Sequence, residues 1–258
     1  MTLQTSRTSI GRTMQMAAFE TQLLFCQRTT VLSNSIGSLV VLAFPLLAHP
    51  TTRTQWAAVE APSVVFVVLF TIYVTTAGSI AARRDMQILK RLRTSQLRTV
   101  EMLFALIAPL VLVGVLQLTV VLVGYRLMGA PAPSDLVLML GAVTASALLA
   151  AFSGLATGMV ARDAERVQFA VLPLILIGAV TANLVLVDAD ASVRAWIPLM
   201  PFAGVADLAA RALGVSDVLL APDVFPLHGA ARDILVTMAW VALSGAVARR
   251  AWRWEPRR

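Results

Sequence analysis

Two histidines and one cysteine are all that this 258-residue chain offers as imidazole or thiol chemistry. His49 and His228 fall at the edges of apolar runs, and Cys26 has no second cysteine with which to form a disulfide or a Cys-based metal cluster. The nearest approach to a serine motif is Phe152-Ser153-Gly154-Leu155, and no histidine lies on an apolar run that would face it. The sequence contains no G-x-x-x-x-G-K-[ST], the loop that wraps a nucleotide's phosphates. The residue types therefore point to no catalytic residue, no metal ligand set and no cofactor bound by this chain.

Two kinds of polar chemistry remain. Gln117, Thr119, Thr144, Ser146, Ser153, Thr157, Gln168, Thr181 and Asn183 are neutral polar residues within apolar runs, where such groups act as interhelical glue or touch a passing solute. Gln117, Thr144 and Asn183 are the candidates for a substrate path. The second kind is a cationic island at 82–98, with six of the 21 Lys and Arg residues and the only lysine, Lys90. Within it Met86, Ile88, Leu89 and Leu92 give an apolar stripe, while Lys90, Arg91 and Arg93 give a polar one. Asp85 is placed as the first residue of this helix, where a carboxylate suits the dipole. Such a segment either fixes topology or is presented to a partner.

The elements that hold these residues are set by hydropathy. Hydrophobic residues make up 58% of the chain and charged ones 14%, against about 25% charged in soluble domains; the mean hydropathy is +0.80. Repeated apolar runs of about 18 residues or more read as transmembrane helices. The expected fold is an all-α polytopic membrane protein forming a single transmembrane domain over 1–258. Spans are placed at 30–48, 62–82, 99–127, 136–160, 167–187 and 234–251. An amphipathic helix at 14–28, with Met16, Phe19, Leu23 and Cys26 on one stripe, is expected in the interface plane.

Between the spans, Trp56 is expected as an interfacial anchor in an external loop with Arg53 and Glu60. Gly154 and Gly158 form a small-xxx-small pattern that lets two helices approach closely. Residues 188–233 hold six aspartates and four prolines among moderately apolar pieces. They read as a re-entrant region, which non-helical backbone at membrane depth permits only when packed against protein.

Six spans with the N-terminus inside leave only Arg53, Arg126, Arg194, Arg211 and Arg232 of the 21 cationic residues outside. That is a strong positive-inside bias, and it places both termini in the cytoplasm. The spans hold almost no ionisable residues, although a proton-coupled carrier needs such a group near the midplane. The energy source is therefore expected to lie outside the chain.

Asp85, Leu89, Lys90, Arg91, Leu92, Thr94 and Ser95 are spaced as in the loop after the second span of permeases of the ABC type-2 exporter family, which this stretch resembles. Arg83, Gln87 and Gln96 stand where that family often has Glu, Gly and Pro. The segment 198–213, which includes Pro201, Asp207 and Arg211, is similar to the family's external re-entrant piece before the last span. The resemblance implies a coupling helix at 84–96, contacting a partner ATPase through Asp85, Ile88, Leu89, Lys90, Arg91, Leu92 and Arg93. It implies ATP and Mg bound by two separate ATPase subunits, and a homodimer or heterodimer of permeases in a bacterial inner membrane. The expected function is export of a drug- or antibiotic-like substrate, with a lipid or polysaccharide as the alternative. A stand-alone channel or secondary carrier, or a non-transporting membrane anchor, would need no ATPase.

Overall fold

The computed structural model describes residues 9–26, 36–87, 99–185, 196–215 and 229–251, and every regular element among them is helical. In chain order these are α1 (Ser9–Cys26), α2 (Ile36–Ala48), α3 (Arg53–Asp85), α4 (Thr99–Leu127), α5 (Leu136–Val160), α6 (Val167–Leu184), α7 (Ala203–Ala212) and α8 (Gly229–Ala251). Five of them, α3, α4, α5, α6 and α8, are long and apolar enough to cross a membrane. α2 is a shorter apolar helix; residues 30–35, read as the beginning of that span, lie outside the described residues.

α3 is the axis of the bundle. It begins nine residues before the expected position 62, because Thr52 and Gln55 form a reciprocal capping box. At 33 residues and about 1.5 Å per residue it is about 50 Å long, well beyond a hydrocarbon core of about 30 Å. Residues Leu69–Tyr73 form a π turn midway, and Val64, Val65, Val67, Val68, Leu69, Ile72 and Tyr73 are fully buried.

This early start overturns the external loop. Trp56 is buried and packs on Tyr125, with ring centroids 6.2 Å apart, rather than anchoring at an interface. Glu60 lies inside the helix, fully buried, and pairs with Arg126 of α4; Arg126 Nη1 donates to Glu60 Oε2 at 2.9 Å, and its Nη2 reaches Oε1. A lone buried carboxylate would be too costly, and the two-pronged pairing offsets that cost.

α2 illustrates how the outer contacts arise. Pro45 has no N–H, so the carbonyl of Val41 lacks the donor it would have in an unbroken helix. The hydroxyl of Tyr125 donates to that carbonyl at 2.7 Å and lies 2.7 Å from Ser63 Oγ, joining α2, α3 and α4.

The glycine pattern on α5 works as its spacing suggests. A Cβ on Gly154 would fall 2.6 Å from the Tyr73 carbonyl oxygen, and one on Gly158 2.6 Å from that of Ala77. α5 therefore lies directly on the backbone of α3, running parallel to it. Tyr73 Oη and Thr157 Oγ1 meet at 3.1 Å across the same seam, and Ser153 meets Ser244 of α8 at 3.1 Å.

α7, at about 15 Å, spans about half a bilayer core. Every residue of α7 except Arg211 is buried, held among α3, α5, α6 and α8. Its C-terminal carbonyls all find donors: Arg53 Nη1 reaches Leu213 O at 2.9 Å, and Ala212 O accepts from Ser134 N–H at 2.8 Å, Ser134 Oγ at 3.0 Å and Asp135 N–H at 3.1 Å. Gly214, at φ +80°, ends the helix in a left-handed turn that suits glycine.

Two other expected boundaries move. Residues 229–233 belong to the last helix, not to the re-entrant region, since α8 starts at Gly229. α1 starts at Ser9 instead of 14 and packs along α4, with Met14 and Phe19 exposed.

Candidate functional site

The close seam between α3 and α5 decides what happens at the end of α3. Both helices arrive at the same end of the bundle, and α5 stops at Val160 with its last carbonyls lacking intrahelical donors. Helical side chains tilt back toward the N-terminus, so Arg84, two turns beyond Ala77, reaches under that terminus. Its Nη1 donates to Gly158 O at 3.1 Å and Met159 O at 3.0 Å; its Nη2 donates to Ala161 O at 2.7 Å and Arg162 O at 2.9 Å. Arg84 is 1% exposed. A cation there also complements the negative end of the α5 dipole.

Asp85 completes the joint. Its Oδ2 accepts from the Ala164 N–H at 2.6 Å, and its Oδ1 lies 3.7 Å from Arg84 Nη2. Asp85 is thus the last residue of a long helix, not the first of a new one, and the coupling helix does not begin at 84. The reason is local: Arg84 pins the final turn, and Gln87 takes φ +57°, a left-handed conformation in which glycine is the least strained residue. Glycine is what the resemblance leads one to expect at 87. Ile88, Leu89, Lys90, Arg91, Leu92 and Arg93, the other residues expected at the ATPase contact, lie outside the described residues.

The turn between α5 and α6 presents charge beside this joint. Arg162, Glu165 and Arg166 are exposed, and Asp163 Oδ1 accepts from the Arg166 N–H at 2.7 Å.

The three substrate-path residues are not brought together by any hydrogen bond. Gln117 is half-buried, and its Oε1 accepts from Ser38 Oγ at 3.2 Å, tying α4 to α2. Thr144 and Asn183 are exposed on α5 and α6, bonding back to Leu140 O and Ala179 O of their own helices, each at 2.8 Å.

In the re-entrant segment the structure unites what the sequence only juxtaposed. Pro201 O accepts from Thr181 Oγ1 at 3.0 Å. Asp207 Oδ2 accepts from Arg211 Nη2 and from Arg232 Nη2, both at 3.1 Å. Arg232 also binds Asp233 Oδ1 through Nε at 3.1 Å and Nη2 at 3.0 Å, while Arg211 Nε lies 3.6 Å from Asp233 Oδ2. Both aspartates are fully buried. The result is a quartet of two carboxyl groups and two guanidiniums, balanced in formal charge, locking α7 to the first turns of α8. Gly229 leaves room for it: a Cβ there would fall 2.4 Å from Arg211 Nη2.

Arg84, Glu60, Arg232, Asp233 and Trp240 were not singled out as sites by sequence. Trp240 Nε1 donates to Leu199 O at 2.9 Å, holding the short 3-10 turn Ile197–Leu199 against α8. The capping box at Thr52 was the one available signal for Glu60; the others have partners that no local pattern announces. Among the described residues no three His, Cys, Asp or Glu side chains are grouped to hold a metal ion.

Several long apolar helices, a buried half-length helix and the absence of strands among the described residues define a polytopic α-helical membrane protein. The chain matches the family described as "ABC-2 family transporter protein" over residues 32–249 and belongs to it. It is therefore an ABC transporter permease, the membrane component of a type that generally lacks its own ATPase site and works with ABC ATPase partners. No curated protein sequence matches the chain.

Proposed function

We propose that this chain is the permease subunit of an ATP-driven exporter in a bacterial inner membrane, with both termini cytoplasmic. It works as a homodimer or with a sister permease, on two separate ATPase subunits that bind ATP and Mg. ATP closes the ATPase pair, the segment beyond Gln87 is pushed, and spans one, two and five open a central path outward. The substrate is a hydrophobic or amphipathic molecule of the drug or antibiotic type.

The observation that carries this reading is the family match across 32–249 in a sequence with no P-loop of its own. The arrangement of charge agrees with it. The end of the bundle that holds Asp85 also holds Arg83, Arg84, Arg162, Arg166, Arg249 and Arg250, as a cytoplasmic face should. The basic, apolar-striped segment 88–98 follows directly from there.

The test is to change Leu89 and Leu92 to Asp in the intact complex. Placing two carboxylates on the apolar stripe should abolish ATP-dependent, vanadate-sensitive efflux in cells while leaving the permease in the membrane. Unchanged efflux would refute the coupling role.

A further inference from the structure

In the reading just proposed, a push delivered beyond Gln87 must also reach span five, which is not adjacent in sequence to the pushed segment. The structure supplies a route. Arg84 and Asp85 are the last two residues of α3 before the pushed segment, and both are bonded to the α5–α6 turn. A cation that only fixed orientation would sit in water or among headgroups. Arg84 instead is buried, with Nη1 committed to carbonyls of the last turn of α5 and Nη2 to carbonyls of the turn that follows it.

These bonds span the joint. Gly158 and Met159 are the final turn of α5, Ala161 and Arg162 lead into the turn, and Ala164 stands three residues before α6 starts at Val167. A displacement of the α3 end therefore drags the end of α5 and the start of α6 with it. Higher up, Tyr73 Oη lies within 3.4 Å of Val171 O, a second tie between α3 and α6.

We infer that Arg84, with Asp85, is the positioning residue that transmits movement of the coupling segment to α6. This inference rests on the ATP-coupled reading above. Arg84 acts by making three helix ends one mechanical unit. Without it, the segment beyond Gln87 would still be pushed, but the α5–α6 turn would no longer follow.

The experiment uses the permease–ATPase complex in lipid vesicles, in a Cys26→Ser background, with a single environment-sensitive fluorophore on a cysteine at Met86 or at Glu165. Both positions are exposed, one before the pushed segment and one on the turn. With ATP and vanadate, both labels should respond in the otherwise unchanged protein. In Arg84→Gln the Met86 label should still respond, while the response at Glu165 falls about tenfold, within the usual range of coupling between linked sites. Arg84→Lys, whose ammonium cannot span four carbonyls, should give an intermediate response, and it carries the test if Arg84→Gln does not assemble. Equal responses at both positions in Arg84→Gln, or in Arg84→Lys where that variant carries the test, overturn this inference alone. No response at either position before Arg84 is altered overturns the ATP-coupled reading and this inference with it.

Discussion

Replacing Asp207 by Asn keeps the shape of a side chain at the centre of the α7–α8 quartet and removes one charge. Asp207 Oδ2 serves Arg211 and Arg232 at 3.1 Å each, and the neutral amide leaves two guanidiniums with the single carboxylate of Asp233. Arg232 is 7% exposed and Arg211 18%, so solvent offers little relief. Removing one partner from a buried ion pair costs about 3–5 kcal/mol. For a chain of this size each kcal/mol lowers Tm by about 2–4 °C, so Asp207→Asn should lower it by roughly 6–20 °C. Adding Arg211→Gln restores neutrality and should recover about half of the loss. The assay is tryptophan fluorescence during heating in detergent, with Trp240, two turns further along α8 and bonded to Leu199 O, among the reporters. A loss under about 2 °C for Asp207→Asn would refute the view that these charges depend on one another.

Three further outcomes follow from other contacts. Tyr125→Phe removes the donor to Val41 O and should cost about 1–3 kcal/mol; in Pro45→Ala, where a backbone N–H returns, the same change should cost much less, a double-mutant cycle readable by thermal unfolding. Gly158→Val should separate α5 from the Ala77 backbone and prevent accumulation of folded permease, measured as the monodisperse fraction by size-exclusion chromatography. Glu60→Gln leaves the Arg126 guanidinium without a counter-charge and should destabilise by about 3 kcal/mol; Arg126→Gln made in the same chain should return part of that, again by thermal unfolding.

The class of fold was legible because lipid forces a simple rule: a segment must be apolar and about 20 residues long to cross. Gly154 and Gly158 were equally readable, since their four-residue spacing places both on one helical face. Ser134 and Asp135 both offer a helix start signal in the sequence, and it is the Asp135 side chain that accepts from the Leu138 N–H at 2.9 Å. The misreadings share a cause. Glu60 and Trp56 look like loop residues by polarity and interface preference, but the Thr52–Gln55 box extends the helix past them, and Arg126 and Tyr125, more than 60 residues away, give them partners. Arg84 looked like one more arginine in a basic run. Its carbonyl partners are 74 to 78 residues further on, and hydropathy carries no information about contacts at that range.

The claim that energy reaches this permease from a separate ATPase is tested most directly by affinity purification of the tagged chain in mild detergent. The account predicts that a P-loop ATPase co-purifies, that the complex hydrolyses ATP with vanadate sensitivity, and that changing Leu89 and Leu92 to Asp releases it. A purified, folded permease that carries no ATPase would contradict the account, as would one whose ATPase stays bound and coupled after those two changes.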